Sequence, residues 1–287
     1  MAARIDAHCH YWQLARGDYG WLTEDLAPIH RDFGAAEHDA ASAHAGIEGR
    51  VLVQAAPTVA ETEFLLASAA ADPKALGVVG WVDLSARDAE AELEGLADDP
   101  LFKGVRPMLQ DIADPDWINR AARPEAIARL VELGLRFDAL AKPAQIGAVA
   151  AFAKANPDLP IIIDHAAKPD LTQGAPSDAW VKAMTALGGL GNVSCKLSGL
   201  LTEMDADDRQ TPEDAARMLS PVFASLLEWF GPSRIAWGSD WPVVNLAADY
   251  GFWRATTDIL VAPLSAAERG AILGGTAFGF YGLEGAR

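Results

Sequence analysis

Ile5-Asp6-Ala7-His8-Cys9-His10-Tyr11-Trp12-Gln13, near the start of this 287-residue chain, decides between the two α/β architectures open to it. Side chains of a β-strand alternate, so His8 and His10 share one side and Cys9 takes the other. A dinucleotide-binding, doubly wound fold needs a glycine-rich turn after its first strand, and Tyr11-Trp12-Gln13 supplies none. Two imidazoles converging at the C-terminal end of a strand instead suit a borderline-soft divalent metal ion.

Outward from that strand the chain alternates. Residues 12–33 read as an irregular loop, and Tyr11 with the loop's Trp12, Tyr19 and Trp21 either lines a pocket or forms a small core of its own. Strands are predicted at 50–56 (RVLVQAA), 75–84, 102–109, 135–140, 160–165 (PIIIDH), 192–200 and 234–241. Helices are predicted near 35–46, 59–72, 85–99 with Ser85 as N-cap, 124–134, 143–156, 178–187, 211–230, 247–260 and 265–281. Strands and helices alternating in this number over about 250 residues predict a single (β/α)8 TIM-like barrel, regular or distorted, with a C-terminal helix. No linker or repeat divides 1–287, so one domain is expected.

The formal net charge of −17 and the absence of a Lys/Arg cluster argue against a nucleic-acid partner. No apolar run is long enough to span a membrane, and Asp6 with the histidine pair argues against a cleaved signal peptide, so a cytoplasmic protein is expected. Cys9 and Cys195 read as packing residues. Charge and composition leave monomer and homodimer both open.

In a barrel the strand ends meet at one face. The polar residues expected there are His8, His10, Gln54, Arg106, Asp138, His165, Lys196, Ser198 and Asp240. Strand parity sends Asp240 inward with Ser239 and Trp237 outward, and Lys196 inward with Cys195 outward. His30 has some chance of reaching the pocket, while His38 and His44 are expected on the surface.

IDAHCHYW, GVRPMLQD, DHAAKP, CKLSGL, GSDWPV and the terminal GGTAFGFYGL together resemble the amidohydrolase-related family of the amidohydrolase superfamily, in the sugar-lactonase branch that holds fuconolactonase and 2-pyrone-4,6-dicarboxylate lactonase. The resemblance spans nearly the whole chain. It implies a barrel with a metal held by His8, His10, His165 and Asp240. Lys196 stands where two-metal members want a further histidine, and Asp138 where they want a bridging group, so at most one divalent ion is expected, zinc by preference, with a metal-free mechanism as the alternative. Pro107 replaces a histidine of some sugar-lactonase relatives.

These residue types make chemical sense together. An ion held by imidazoles and a carboxylate, with one position open, lowers the pKa of bound water to about 7. Asp240 could accept the water's proton and return it to the leaving oxygen, unless it merely caps the Gly-Ser-Asp-Trp-Pro turn. His165 reads as a ligand or a carbonyl polariser. Arg106 and Lys196 are donors suited to a carboxylate or oxyanion, or to an ion pair with Asp138. Trp12, Trp21, Gln54, Ser198 and Asp138 are the expected substrate contacts; Ser198 lacks the elbow of a serine nucleophile. The expected activity is hydrolysis of a small carbohydrate-derived lactone, such as fucono- or rhamnono-lactone. The alternatives are a metal-dependent, non-oxidative decarboxylase and a catalytically silent metabolite-binding barrel.

Overall fold

The computed structural model describes residues 3–285, and among these eight parallel strands pair in sequence order, β1 to β8: Ile5–Cys9, Gly49–Val53, Ala75–Gly80, Phe102–Val105, Arg136–Ala139, Ile161–Ile163, Val193–Leu197 and Ile235–Trp237. The expected (β/α)8 barrel is present, nearly closed. Strands buried on both faces need covered crossovers, and helices such as Val59–Ala70, Ile146–Ala155 and Pro212–Phe230 supply them. Thr211 caps the last of these, accepting the Asp214 N–H at 3.1 Å.

The seam between β1 and β8 is sealed just beyond the strands. His10 N–H donates to the Trp241 carbonyl and Asp240 N–H to the His8 carbonyl, each at 2.8 Å. A register shift between Asp6 and Cys9 against β2 makes room for this. Ile5 and Ala7 pack inside the barrel, Asp6 turns outward, and His8 and His10 still face in. Asp6 then ties the seam from outside, accepting from Ser239 N–H at 2.8 Å, His38 Nε2 at 3.1 Å and Tyr250 Oη at 3.0 Å. His38 is therefore buried, contrary to the surface position its helix suggested, because Asp6 needs a donor there. His44 is exposed, as expected.

Two apolar cores result. One fills the barrel with Val51, Val53, Val79, Ile162 and Ala236; the other, with Cys9, Cys195 and Trp237, packs strands against helices. Both cysteines are buried and free, in keeping with packing roles.

Several boundaries differ from the sequence reading. Most predicted strands end earlier, because the chain leaves the ladder to aim polar side chains across the barrel mouth: His165, Ala166, Ala167, Lys168 and Asp240 all have positive φ. Ser85 is not an N-cap; its N–H and hydroxyl both bond Asp83 Oδ1, at 3.0 and 2.6 Å, and the helix begins at Ala89. The terminal helix is broken into Ala266–Gly270, a wide turn at Ala271–Gly275, and Thr276–Phe280. A Cβ at Gly274 would lie 1.9 Å from the Ala3 carbonyl oxygen, so only glycine lets this turn pack against the start of β1. The segment then feeds Tyr281 and Leu283 into the lower end of the barrel core.

Candidate active site

A cavity of about 200 Å³ opens at the C-terminal ends of the strands, with His10, Arg106, His165, Lys168, Asp240 and Trp21 among its walls. Asp240 is its centre. Its Oδ1 lies 3.3 Å from His10 Nε2, 3.6 Å from His8 Nε2 and 3.8 Å from His165 Nε2. Burial alone would raise the Asp240 pKa, but His165, His10 and His8 outweigh it and hold the carboxyl well below its usual range. His165 is pushed down to about 4 by burial, so its ring is neutral at pH 7.

The ring orientations bear on what holds these groups together. His10 Nδ1 faces the Val53 carbonyl at 2.7 Å, an acceptor only, so the ring carries its proton there. Its Nε2 lies 3.3 Å from the Asp240 carboxylate, a pairing that needs a positive centre between the two atoms, either a proton or a metal cation. His165 Nδ1 is engaged by Ser198 Oγ at 2.9 Å, which leaves its Nε2 for the same centre, while His8 Nε2 lies between Asp240 Oδ1 at 3.6 Å and Arg106 Nη1 at 3.3 Å. Neighbouring ligands around a tetrahedral ion with bonds near 2.0–2.1 Å are spaced about 3.3–3.4 Å. His8, His10 and Asp240 lie close enough together to hold one divalent cation, with His165 Nε2 3.8 Å from the same carboxylate oxygen.

Below the cavity lies a buried ionic cluster. Lys196 Nζ sits 2.5 Å from Asp138 Oδ2, 2.9 Å from Asp164 Oδ1 and 3.0 Å from His8 Nδ1. Burial raises the Asp138 pKa to about 6 despite Lys196. Burial acts in the same sense on Asp164, but there Lys196, His8 and Arg106 prevail and hold it well below the usual range. Arg106 reaches Asp164 Oδ2 and His8 Nε2, each at 3.3 Å, and donates to the Gln54 carbonyl; Gln54 Nε2 returns a bond to the Arg106 carbonyl at 2.6 Å.

A family model described as Amidohydrolase matches residues 5–283. The chain belongs to the amidohydrolase family. L-fucono-1,5-lactonase of Burkholderia ambifaria is 43% identical over 99% of this chain and 97% of its own. A crystal structure of an amidohydrolase from Burkholderia multivorans with bound zinc is 33% identical, covers 99% of this chain and 100% of that one, and has a TM-score of 0.91. The 5-carboxyvanillate decarboxylase of Sphingomonas paucimobilis, at 13% identity and a TM-score of 0.64, shares the fold. The protein thus stands among the lactone-hydrolysing amidohydrolases, and the decarboxylases are more distant.

In this amidohydrolase the expected residues divide into two tiers. His10, Arg106, His165, Asp240 and Trp21 reach the cavity; His8, Gln54, Asp138, Lys196 and Ser198 are buried behind or beneath them. Asp138, Gln54 and Ser198 were expected to touch substrate, but their polar atoms face Lys196, Arg106 and His165. Trp12 departs furthest. It is fully buried, pairs with Phe33, and donates Nε1–H to the Arg31 carbonyl at 2.8 Å. The loop is thus both things at once, since Trp12, Tyr19, Ile29 and Phe33 form a small core while Trp21 faces the cavity. Trp21 is fixed by an Nε1–H bond to the Ala55 carbonyl at 2.7 Å, and Ala55 N–H is gripped in turn by the buried Glu61 carboxyl at 3.0 Å.

Two residues escaped the sequence reading. Asp164 and Lys168 were read only as parts of PIIIDH and DHAAKP. Asp164 keeps the inward parity of Ile162, and the left-handed run from His165 to Lys168 then brings His165 and Lys168 to the site as well.

Gly199 shows how tightly His165 is placed. Its φ is +62°, and a Cβ there would lie 2.4 Å from His165 Nδ1. Gly199→Ala is expected to lower kcat/KM about 100-fold through displacement of the ring, with the far-UV circular dichroism spectrum unchanged.

Proposed function

We propose that this protein opens a small aldonolactone, of the fucono- or rhamnono-lactone type, by adding water to the ring ester. The observation that carries the reading is the ionised Asp240 carboxylate at the meeting point of three imidazole Nε2 atoms on the floor of a cavity walled by Arg106 and Lys168. His8, His10, His165 and Asp240 would hold one divalent ion, zinc by preference, which when bound lowers the pKa of water and polarises the lactone carbonyl. Asp240, kept ionised, takes one proton from the attacking water as the C–O bond forms. Arg106 faces the cavity from one side and offsets negative charge developing on the former carbonyl oxygen. Asp240 then returns the proton to the ring oxygen as the ester C–O bond breaks, giving the open hydroxy acid. Lys168, on the cavity wall, offers a further cation for the substrate's oxygens.

Acid release from a panel of aldonolactones, with 2-pyrone-4,6-dicarboxylate alongside, tests this. Turnover is expected on one or more aldonolactones, to fall after chelation, and to return with one equivalent of zinc. Turnover indifferent to chelation would retain the lactonase and recast the histidines as acid, base and oxyanion groups. If no lactone is opened with or without metal, the reading fails. Among the described residues no helix is long and apolar enough to cross a membrane, in keeping with a small polar substrate met in solution.

A further inference from the structure

Beside the catalytic cavity lies a larger one, of about 670 Å³, that no step above uses. Trp21, Met108 and Asp111 line both, so a molecule seated over Asp240 can extend across them into the second space. Loops after β1, β3 and β4 build its walls, bringing Asp18, Trp81 and Trp117 together. Its size falls within the range of small-molecule sites, about 300–1,000 Å³.

Its chemistry is mixed in a particular way. Three indoles offer flat apolar faces, and two of them are anchored: Trp21 through Ala55, and Trp81 by its backbone N–H to Thr62 Oγ1 at 2.8 Å. Among the described residues, neither the Trp81 nor the Trp117 indole N–H has a protein acceptor. Asp18 is half used. Its Oδ2 accepts from Arg16 Nη2 at 2.6 Å and Thr58 Oγ1 at 3.3 Å, while its buried Oδ1 has no hydrogen-bond partner. An alkyl or aryl occupant would leave these donors and this acceptor unpaired. A sugar ring meets both demands, with C–H faces to lie on indoles and hydroxyls that donate and accept at its edge.

Resting on the lactonase reading above, we propose that the second cavity is a glycosyl subsite. The protein takes aldonolactones that carry a second sugar ring, the lactone over Asp240 and the attached sugar against Trp81 and Trp117, with its hydroxyls at the Asp18 end of the cavity.

The test compares a monosaccharide aldonolactone with disaccharide aldonolactones (cellobiono- and maltobiono-lactone) on the wild type, Trp117→Ala and Asp18→Asn. A disaccharide lactone is expected to have about tenfold higher kcat/KM than the monosaccharide, mostly through KM. Each variant loses that preference and keeps the monosaccharide rate within about twofold. Calorimetric binding of the open-chain disaccharide acids needs no turnover and weakens in the same variants. Acid binding that depends on Trp117, with no lactone opened, would uphold the subsite and sink the lactonase reading alone. Equal kcat/KM for the two lactone sizes, a disaccharide preference untouched by both variants, or a phenyl- or octyl-substituted lactone preferred over the disaccharides would each overturn the proposal.

Discussion

Asp240→Asn is expected to lower kcat for lactone opening by about 10²–10⁴-fold, the range for losing a positioned general base. The amide keeps the shape and a carbonyl oxygen but cannot take the proton from water. It also removes the negative charge toward which the Nε2 atoms of His8, His10 and His165 converge, so metal affinity should fall with it. Steady-state rates measured with zinc in excess separate the two effects, since saturating metal restores occupancy but not the base. A variant with wild-type kcat under those conditions would remove Asp240 from the chemistry. Unchanged ligand binding with no turnover of any lactone by either protein would favour the silent, metabolite-binding barrel.

Lys196→Met should destabilise the fold by about 3–5 kcal/mol, the usual cost of breaking a fully buried ion pair. Lys196, Asp138 and Asp164 are all completely buried, and the ammonium lies between the two carboxyl groups. Methionine fills the stem's volume but leaves the carboxylates to repel each other. The pH dependence has a definite sign. Asp138 already holds its proton more tightly in the folded state, with a pKa of about 6, so its contribution is fully present below the unfolded value of 3.8 and is lost as pH rises through 6. Without Lys196 both folded-state carboxyl pKa values move higher, so the deficit widens toward neutral pH and narrows in acid. Urea midpoints of variant and wild type across pH 4–8 read this directly. A constant or vanishing difference would mean that the cluster is not ionised as the geometry implies. Adding Asp138→Asn to the Lys196→Met variant should recover part of the loss.

How much of this was legible in sequence follows from where backbone alternation survives. It holds along β7 and from His8 to His10, so Lys196 inward with Cys195 outward, and His8 with His10 opposite Cys9, were readable from period two, although β1 itself breaks the alternation between Ala7 and His8, which both face in. It fails where the chain leaves the ladder. Lys168 was missed because the residues from His165 to Lys168 adopt left-handed dihedrals that no propensity signals, and Trp12, expected to contact substrate, instead turns into a bridge with Phe33. His38 was misjudged because a tertiary partner, Asp6, overrode the polarity of its short helix. The division of Gln54, Ser198 and Asp138 into supporting rather than facing groups depends on depth along the barrel, which alternation does not encode.

The Tyr281 hydroxyl donates to Asp138 Oδ2 at 2.7 Å from beneath the ionic cluster. Residue 8 and residue 281 are thus joined through Lys196 and Asp138, almost the whole length of the polypeptide apart. For a chain emerging from the ribosome this sets an order of events. The strands can be made and begin to pair, but the charges under the active site have no floor until Tyr281 has left the exit tunnel. A nascent chain stalled before residue 281 can therefore carry every residue proposed to hold the metal and still lack the Tyr281–Asp138 contact beneath them.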